Sequence, residues 1–250
     1  MLELPLDTAQ VAVVGLAAFA ASVASGVSGH GAGLLLALVV APLVGVQDVI
    51  ALMAVVTALT NAGRLAAFRR DIDWGRTGLL LLVAAPGCLA GAFVLTLIDQ
   101  RLLSLWLGGF LLATVPLRWG LARVRYSLGK RGLALAGAGY GLVAGGMTGT
   151  GCILLSVLMA GGLQGATLIA TDAAISLGIN LAKAAVFSHL GRLNPELAAL
   201  GLVAGSCAVP GAFVARWLLH WMPRWIHAIV MDTVVALGAA GLLWQGQPFR

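Results

Sequence analysis

One passage of this chain occurs twice. Gly26-Val27-Ser28-Gly29-His30-Gly31 returns 120 residues later as Gly146-Met147-Thr148-Gly149-Thr150-Gly151. Asn61, Arg64 and Phe68 return 119 residues later as Asn180, Lys183 and Phe187, and Gly91-Ala92-Phe93 returns 120 later as Gly211-Ala212-Phe213. Recurrence at a fixed period marks a structural repeat. Both copies lie in strongly apolar sequence. A duplicated apolar chain, broken by glycines at matching places, is the pattern of a secondary transporter whose substrate sits where the halves meet.

Only 10% of the residues are charged and 60% are hydrophobic, with mean hydropathy +1.01. A soluble domain carries about 25% charged residues. No water-facing surface can be assembled from so few charges, so an integral membrane protein is expected. The apolar stretches lack the strict alternation of outer-membrane strands, which leaves helices. The 34 glycines suit close helix packing and broken helices in lipid. The net charge of +6 would suggest nucleic acid in a soluble protein. Here the basic residues sit in short loops, where they set orientation in the membrane. Nucleic acid is therefore not an expected partner, and an anionic substrate is a secondary inference. Cys88, Cys152 and Cys207 each fall inside an apolar segment, an odd set with no paired spacing. They read as packing residues, with no disulfide framework or metal site. No cofactor is expected. The first apolar run is preceded by Glu3 and Asp7 and by no Lys or Arg, so a cleaved signal peptide is not expected.

Ten apolar segments follow, five per half: about 10–26, 31–45, 48–68, 76–98 and 101–118, then 132–146, 150–162, 166–188, 196–219 and 224–245. A span needs about 20 residues to cross the hydrocarbon. The first two segments of each half are short and the glycine motif separates them, so each pair reads as a hairpin of partial helices turning at depth. The next three segments of each half read as full spans. The loops carrying Arg64, Arg69, Arg70 and Arg76, and Arg118, Arg123, Arg125, Lys130 and Arg131, should face the cytoplasm. An odd number of crossings separates equivalent points of the halves, so the repeats must be inverted. The expected fold is all-α: a polytopic membrane protein of two inverted repeats, residues 1–129 and 130–250, forming one integral membrane domain.

The glycine motifs are the first candidates for a site. Glycine accepts backbone angles refused by other residues and lets a ligand approach the main chain. A turn at membrane depth leaves N–H and C=O groups that protein or a hydrated cavity must satisfy. Partial-helix N-termini there would aim N–H groups and positive dipole ends inward, as an anion site requires. Gly29, His30 and Gly31 in the first motif, and Gly149, Thr150 and Gly151 in the second, would offer that main chain. Ser28 and Thr148 would add hydroxyl donors. The competing reading is close helix packing through small residues.

Asn61, Arg64 and Phe68 share one helical face, as do Asn180, Lys183 and Phe187. Arg64 and Lys183 would draw an anion in from opposite membrane faces, or would snorkel to the headgroups. His30 titrates near neutral pH and suits a coupling proton or the anion itself. Asp172 and Asp232 are carboxylates within spans, and such acids serve as proton carriers or ion-pair partners. His30, Asp172 and Asp232 are the coupling candidates. The seven tryptophans lie near segment ends and read as interfacial anchors.

Gly29-His30-Gly31-Ala32-Gly33 followed by Pro42, Asn61 in the next span, and the second copy from Gly146 through Asn180 resemble the sulfite exporter TauE/SafE family of multi-pass membrane proteins. The resemblance runs from about Ser22 to Leu243. It implies export of a small sulfur-containing or organic anion, such as sulfite or a sulfonate, across a bacterial-type inner membrane. Where that family often runs consecutive glycines, this chain places His30 and Ala32.

The sequence thus reads as a secondary transporter of a small anion working by alternating access, and not as an enzyme. An anion channel, a cation carrier and a membrane enzyme with an intramembrane site are the alternatives. The expected partners are the anion and the lipid bilayer, and a homodimer stays open.

Overall fold

Runs of Leu, Ala and Val satisfy their own backbone groups only as helices when no water is at hand. The computed structural model describes residues 7–28, 32–98 and 128–218, with single positions at 102, 105, 109 and 113. Among these residues there are eight helices: α1 (Thr8–Ser28), α2 (Ala32–Val44), α3 (Val46–Phe68), α4 (Trp74–Thr96), α5 (Lys130–Gly146), α6 (Gly151–Ala160), α7 (Gly165–His189) and α8 (Pro195–Leu218). They match eight of the ten expected segments. The segments at 101–118 and 224–245 lie outside the described residues, apart from those single positions.

Local chemistry sets the boundaries. Asp73 caps α4 through its carboxylate, which accepts from the Arg76 N–H at 3.0 Å. Asn194 accepts from the Leu197 N–H at 2.7 Å, and Pro195 opens α8 at the position where a missing N–H costs nothing. α2 passes into α3 through Gly45 alone, at φ 90°, a value that favours glycine.

α1 is longer than the segment expected for it, at 21 residues, whereas α2 and α6 are short, at 13 and 10. Asp48–Ala66, Trp74–Leu95 and Gly165–His189 are long and apolar enough to cross a bilayer. Leu16, Leu82 and Leu135 are each more than 70% exposed, which suits a hydrocarbon surround. The protein is an all-α membrane protein.

The buried residues form two clusters that do not follow the chain halves. One joins α1, α2, α3 and α8, through Val14, Leu36, Ile50 and Leu200, and takes in the last turns of α4 (Ala92, Leu95) and Phe187 of α7. The other joins α4, α5, α6 and α7, through Leu80, Tyr140, Leu154 and Ile175. Each half therefore lends its fourth helix to the core of the other. α3 and α7 pack together across the join.

Contacts along the helices fix their directions. Gly137, Gly141 and Gly145 of α5 meet Leu80, Ala84 and Cys88 of α4 in turn, so α4 and α5 are parallel. Thr171 meets Asp73 just before α4, and Gly178 and Ile179 meet Leu81 and Cys88, so α7 runs with them. In the other core Gly201, Gly205 and Val209 of α8 meet Val55, Leu59 and Gly63 of α3. Gly15 and Phe19 of α1 meet Cys207 and Gly211, so α1, α3 and α8 are parallel. The end of α3 lies beside the starts of α4 and α7, so the two sets oppose each other. α1 thus runs against α5, α3 against α7 and α4 against α8. That is the inverted relation expected from the odd number of crossings in each half.

Candidate functional site

The second glycine motif breaks the chain between α5 and α6. Met147 is extended, and Gly149 turns the chain at φ 81°, which is why a glycine stands there. Thr148 and Thr150 are buried. The N-terminus of α6 has no side-chain cap. The Tyr140 hydroxyl of α5 shares hydrogen bonding with Thr150 and with Ser176 of α7. Ser176 is the twelfth of the 25 residues of α7, so the break lies level with the middle of that helix.

The second motif meets the start of α2. A Cβ placed on Gly33, just past the first motif, would come within 3.3 Å of the Thr148 hydroxyl and 3.2 Å of the Thr57 methyl. Thr57 is the twelfth residue of α3. Gly33, Thr57 and Thr148 therefore meet at mid-helix depth, between the two cores. Ser28 closes α1, but its side chain is outside the described residues, as are Gly29, His30, Gly31 and Asp232 altogether.

The two asparagines make the same local bond. Asn61 donates to the Thr57 carbonyl at 2.8 Å and Asn180 to the Ser176 carbonyl at 2.7 Å. Each amide is thus anchored one turn back on its own helix. The Asn61 oxygen also accepts from Arg64 Nη1 at 3.4 Å.

Their basic neighbours differ. Lys183 is buried and its ammonium donates to the carbonyls of Ala144 at 2.9 Å and Met147 at 2.8 Å. These groups end α5, where carbonyls lose their helical partners and the macrodipole is negative. Lys183 thus holds the edge of the glycine break from beneath, rather than standing at the headgroups. Arg64 reaches across the join to Asp172 of α7, at 3.4 Å. Arg69 and Arg70, one turn on, are exposed.

Sequence reasoning named both members of the Arg64–Asp172 pair without pairing them. The signal was available. Arg64 stands near the end of one third segment and Asp172 near the start of the other, and inversion brings such positions together. Tyr140 and Ser176 went unnoticed, because neither breaks the apolar pattern with a charge. Among the described residues no group of His, Cys, Asp and Glu is arranged to hold a metal ion.

Two opposed helical cores, joined along α3 and α7, define an all-α membrane protein. The chain belongs to the sulfite exporter TauE/SafE family, whose model matches residues 14–242. No curated protein and no solved structure matches it.

Proposed function

We propose that this protein is a secondary transporter of a small oxyanion, sulfite or a related sulfonate, carried outward by alternating access. The observation that carries the reading is the meeting of Gly33, Thr57 and Thr148 between the cores at mid-helix depth. The uncapped start of α6 offers N–H groups there, and Thr148 offers a hydroxyl. Ser28, Gly29, His30, Gly31, Gly149, Thr150 and Gly151 supply the rest of the cradle, with Asn61 and Asn180 behind it. The buried ammonium of Lys183 adds positive charge to the region, and Arg64, paired with Asp172, stands by it as a second cation. Movement of one core against the other along α3 and α7 would expose this region to each side in turn.

The protein belongs in the inner membrane with its basic loops in the cytoplasm and the repeat boundary near Gly129. It works without a cofactor and catalyses no bond change.

Thermal-shift titration of the purified protein with sulfite, sulfate, thiosulfate, sulfonates and carboxylates tests the reading. Sulfite or a sulfonate should raise the melting temperature in a saturable way, since a ligand at 100 times its Kd adds about 2.7 kcal/mol. A protein indifferent to every anion would contradict it.

A further inference from the structure

The Arg64–Asp172 pair joins the two cores, yet it is incomplete. Asp172 Oδ2 faces Arg64, while Oδ1 is buried with no hydrogen-bond partner. A carboxylate oxygen left bare in a low-dielectric site is costly, and a proton on it is the simplest remedy. The ionisable residues on the elements packed around Asp172 are few. α3 brings Arg64, with Asp48 at its far end; Asp73, whose N–H bonds Thr171, precedes α4, which brings Arg76 and Cys88; α5 brings Tyr140, with Lys130 and Arg131 at its start; α6 brings Cys152; and Lys183 lies eleven residues along α7, with His189 at its end. Of these, Arg64 makes the ion pair.

Charge counting then constrains the loaded state. With Asp172 ionised, the pair is neutral. Adding an anion at Arg64 would set two negative charges against one guanidinium, at a cost of several kcal/mol, because the Lys183 ammonium is held away at the Ala144 and Met147 carbonyls that end α5. Adding the anion together with a proton keeps the total at the pair at zero. On the basis of the transport reading above, we infer that Arg64 serves two anions in turn, the Asp172 carboxylate in the empty carrier and the substrate's anionic group in the loaded one, with Asp172 taking up a proton on Oδ1 as it releases Arg64. The proton comes from the water on the loading side and returns to water when the anion leaves. No bond other than this O–H forms or breaks. Proton and anion each raise the other's affinity by the same factor, because they act on one equilibrium. A monoanion therefore crosses with one proton and without net charge.

The test uses proteoliposomes loaded with a fluorescent pH indicator and given an inward sulfite gradient, with empty vesicles as background. The wild type, Asp172→Asn and Asp172→Glu are compared by lumen acidification per sulfite carried. Sulfite releases its own protons equally in every case, so the differences belong to the protein. The wild type and Asp172→Glu should exceed Asp172→Asn by one proton per anion. Sulfite flux through Asp172→Asn should respond to an imposed voltage, whereas wild-type flux should not. Equal acidification by wild type and Asp172→Asn, or voltage-driven flux in the wild type, would overturn the inference and leave the transport reading standing. If Asp172→Asn fails to fold, the wild-type voltage response decides alone. Absence of any saturable sulfite uptake by the wild type would sink the transport reading and the inference with it.

Discussion

Gly141→Ala should loosen this protein, while Gly139→Ala, two residues away on the same helix, should tighten it. At Gly141 a Cβ would fall 2.6 Å from Ala84 Cα and 2.7 Å from its carbonyl carbon, and closer still to the Ala84 oxygen. Carbon atoms rest about 3.5–4.0 Å apart. The obstacle is main chain, which no rotamer change can remove, so α4 and α5 must separate by roughly 1 Å. At Gly139 a Cβ would meet nothing within 4 Å. Both substitutions gain about 1 kcal/mol of helix propensity. Only Gly141→Ala incurs the overpacking cost, about 3 kcal/mol at the upper end of the usual range. At about 2–4 °C per kcal/mol for a chain of this length, the two variants should melt about 6–12 °C apart. Nanocalorimetry or tryptophan fluorescence in detergent reads this directly. Melting points within a degree or two of each other would refute the claim that main-chain contact holds α4 against α5.

Lys183→Met removes two charged hydrogen bonds at the end of α5 and bares two carbonyls, offset in part by relief of the buried charge. It should cost about 2–4 kcal/mol, and an unchanged melting temperature would count against the capping role. Asp73→Ala strips the cap from α4 and should cost about 1 kcal/mol, with the half-exposed Arg76 ion pair adding little. Hydrogen exchange should speed up in the first turn of α4. Arg64→Gln and Asp172→Asn should be non-additive: the double variant should be about 1–3 kcal/mol more stable than the sum of the single effects predicts. Strict additivity in denaturation measurements would deny the pair any energetic role.

Periodicity and the repeat made most of the fold legible. The boundaries of α2, α3, α5 and α7 fall within a few residues of those read from apolar runs and glycines. Inversion followed from the odd number of crossings between equivalent points, and the opposed directions of α3 and α7 agree with it. The exchange of fourth helices was not legible, because α4 and α8 each present a small-residue face that either core would accept. Gly87 and Gly91 gave no sign of which helix they would meet. The carbonyl contacts of Lys183 were not legible for a related reason. A lone cation near the end of an apolar run reads equally as an anion ligand or a headgroup anchor, and nothing local shows that the facing helix ends in bare carbonyls.

The most direct measurement is sulfite counterflow in proteoliposomes, comparing the wild type with Thr148→Val and Gly33→Ala. Thr148→Val deletes the hydroxyl where Gly33, Thr57 and Thr148 meet, and Gly33→Ala places a methyl group against it. If the anion is carried between the cores, the wild type should show saturable counterflow. Both variants should then raise the half-saturating concentration while keeping their melting temperatures. Wild-type uptake that never saturates, or variants that exchange sulfite as the wild type does, would contradict a carrier site at this place.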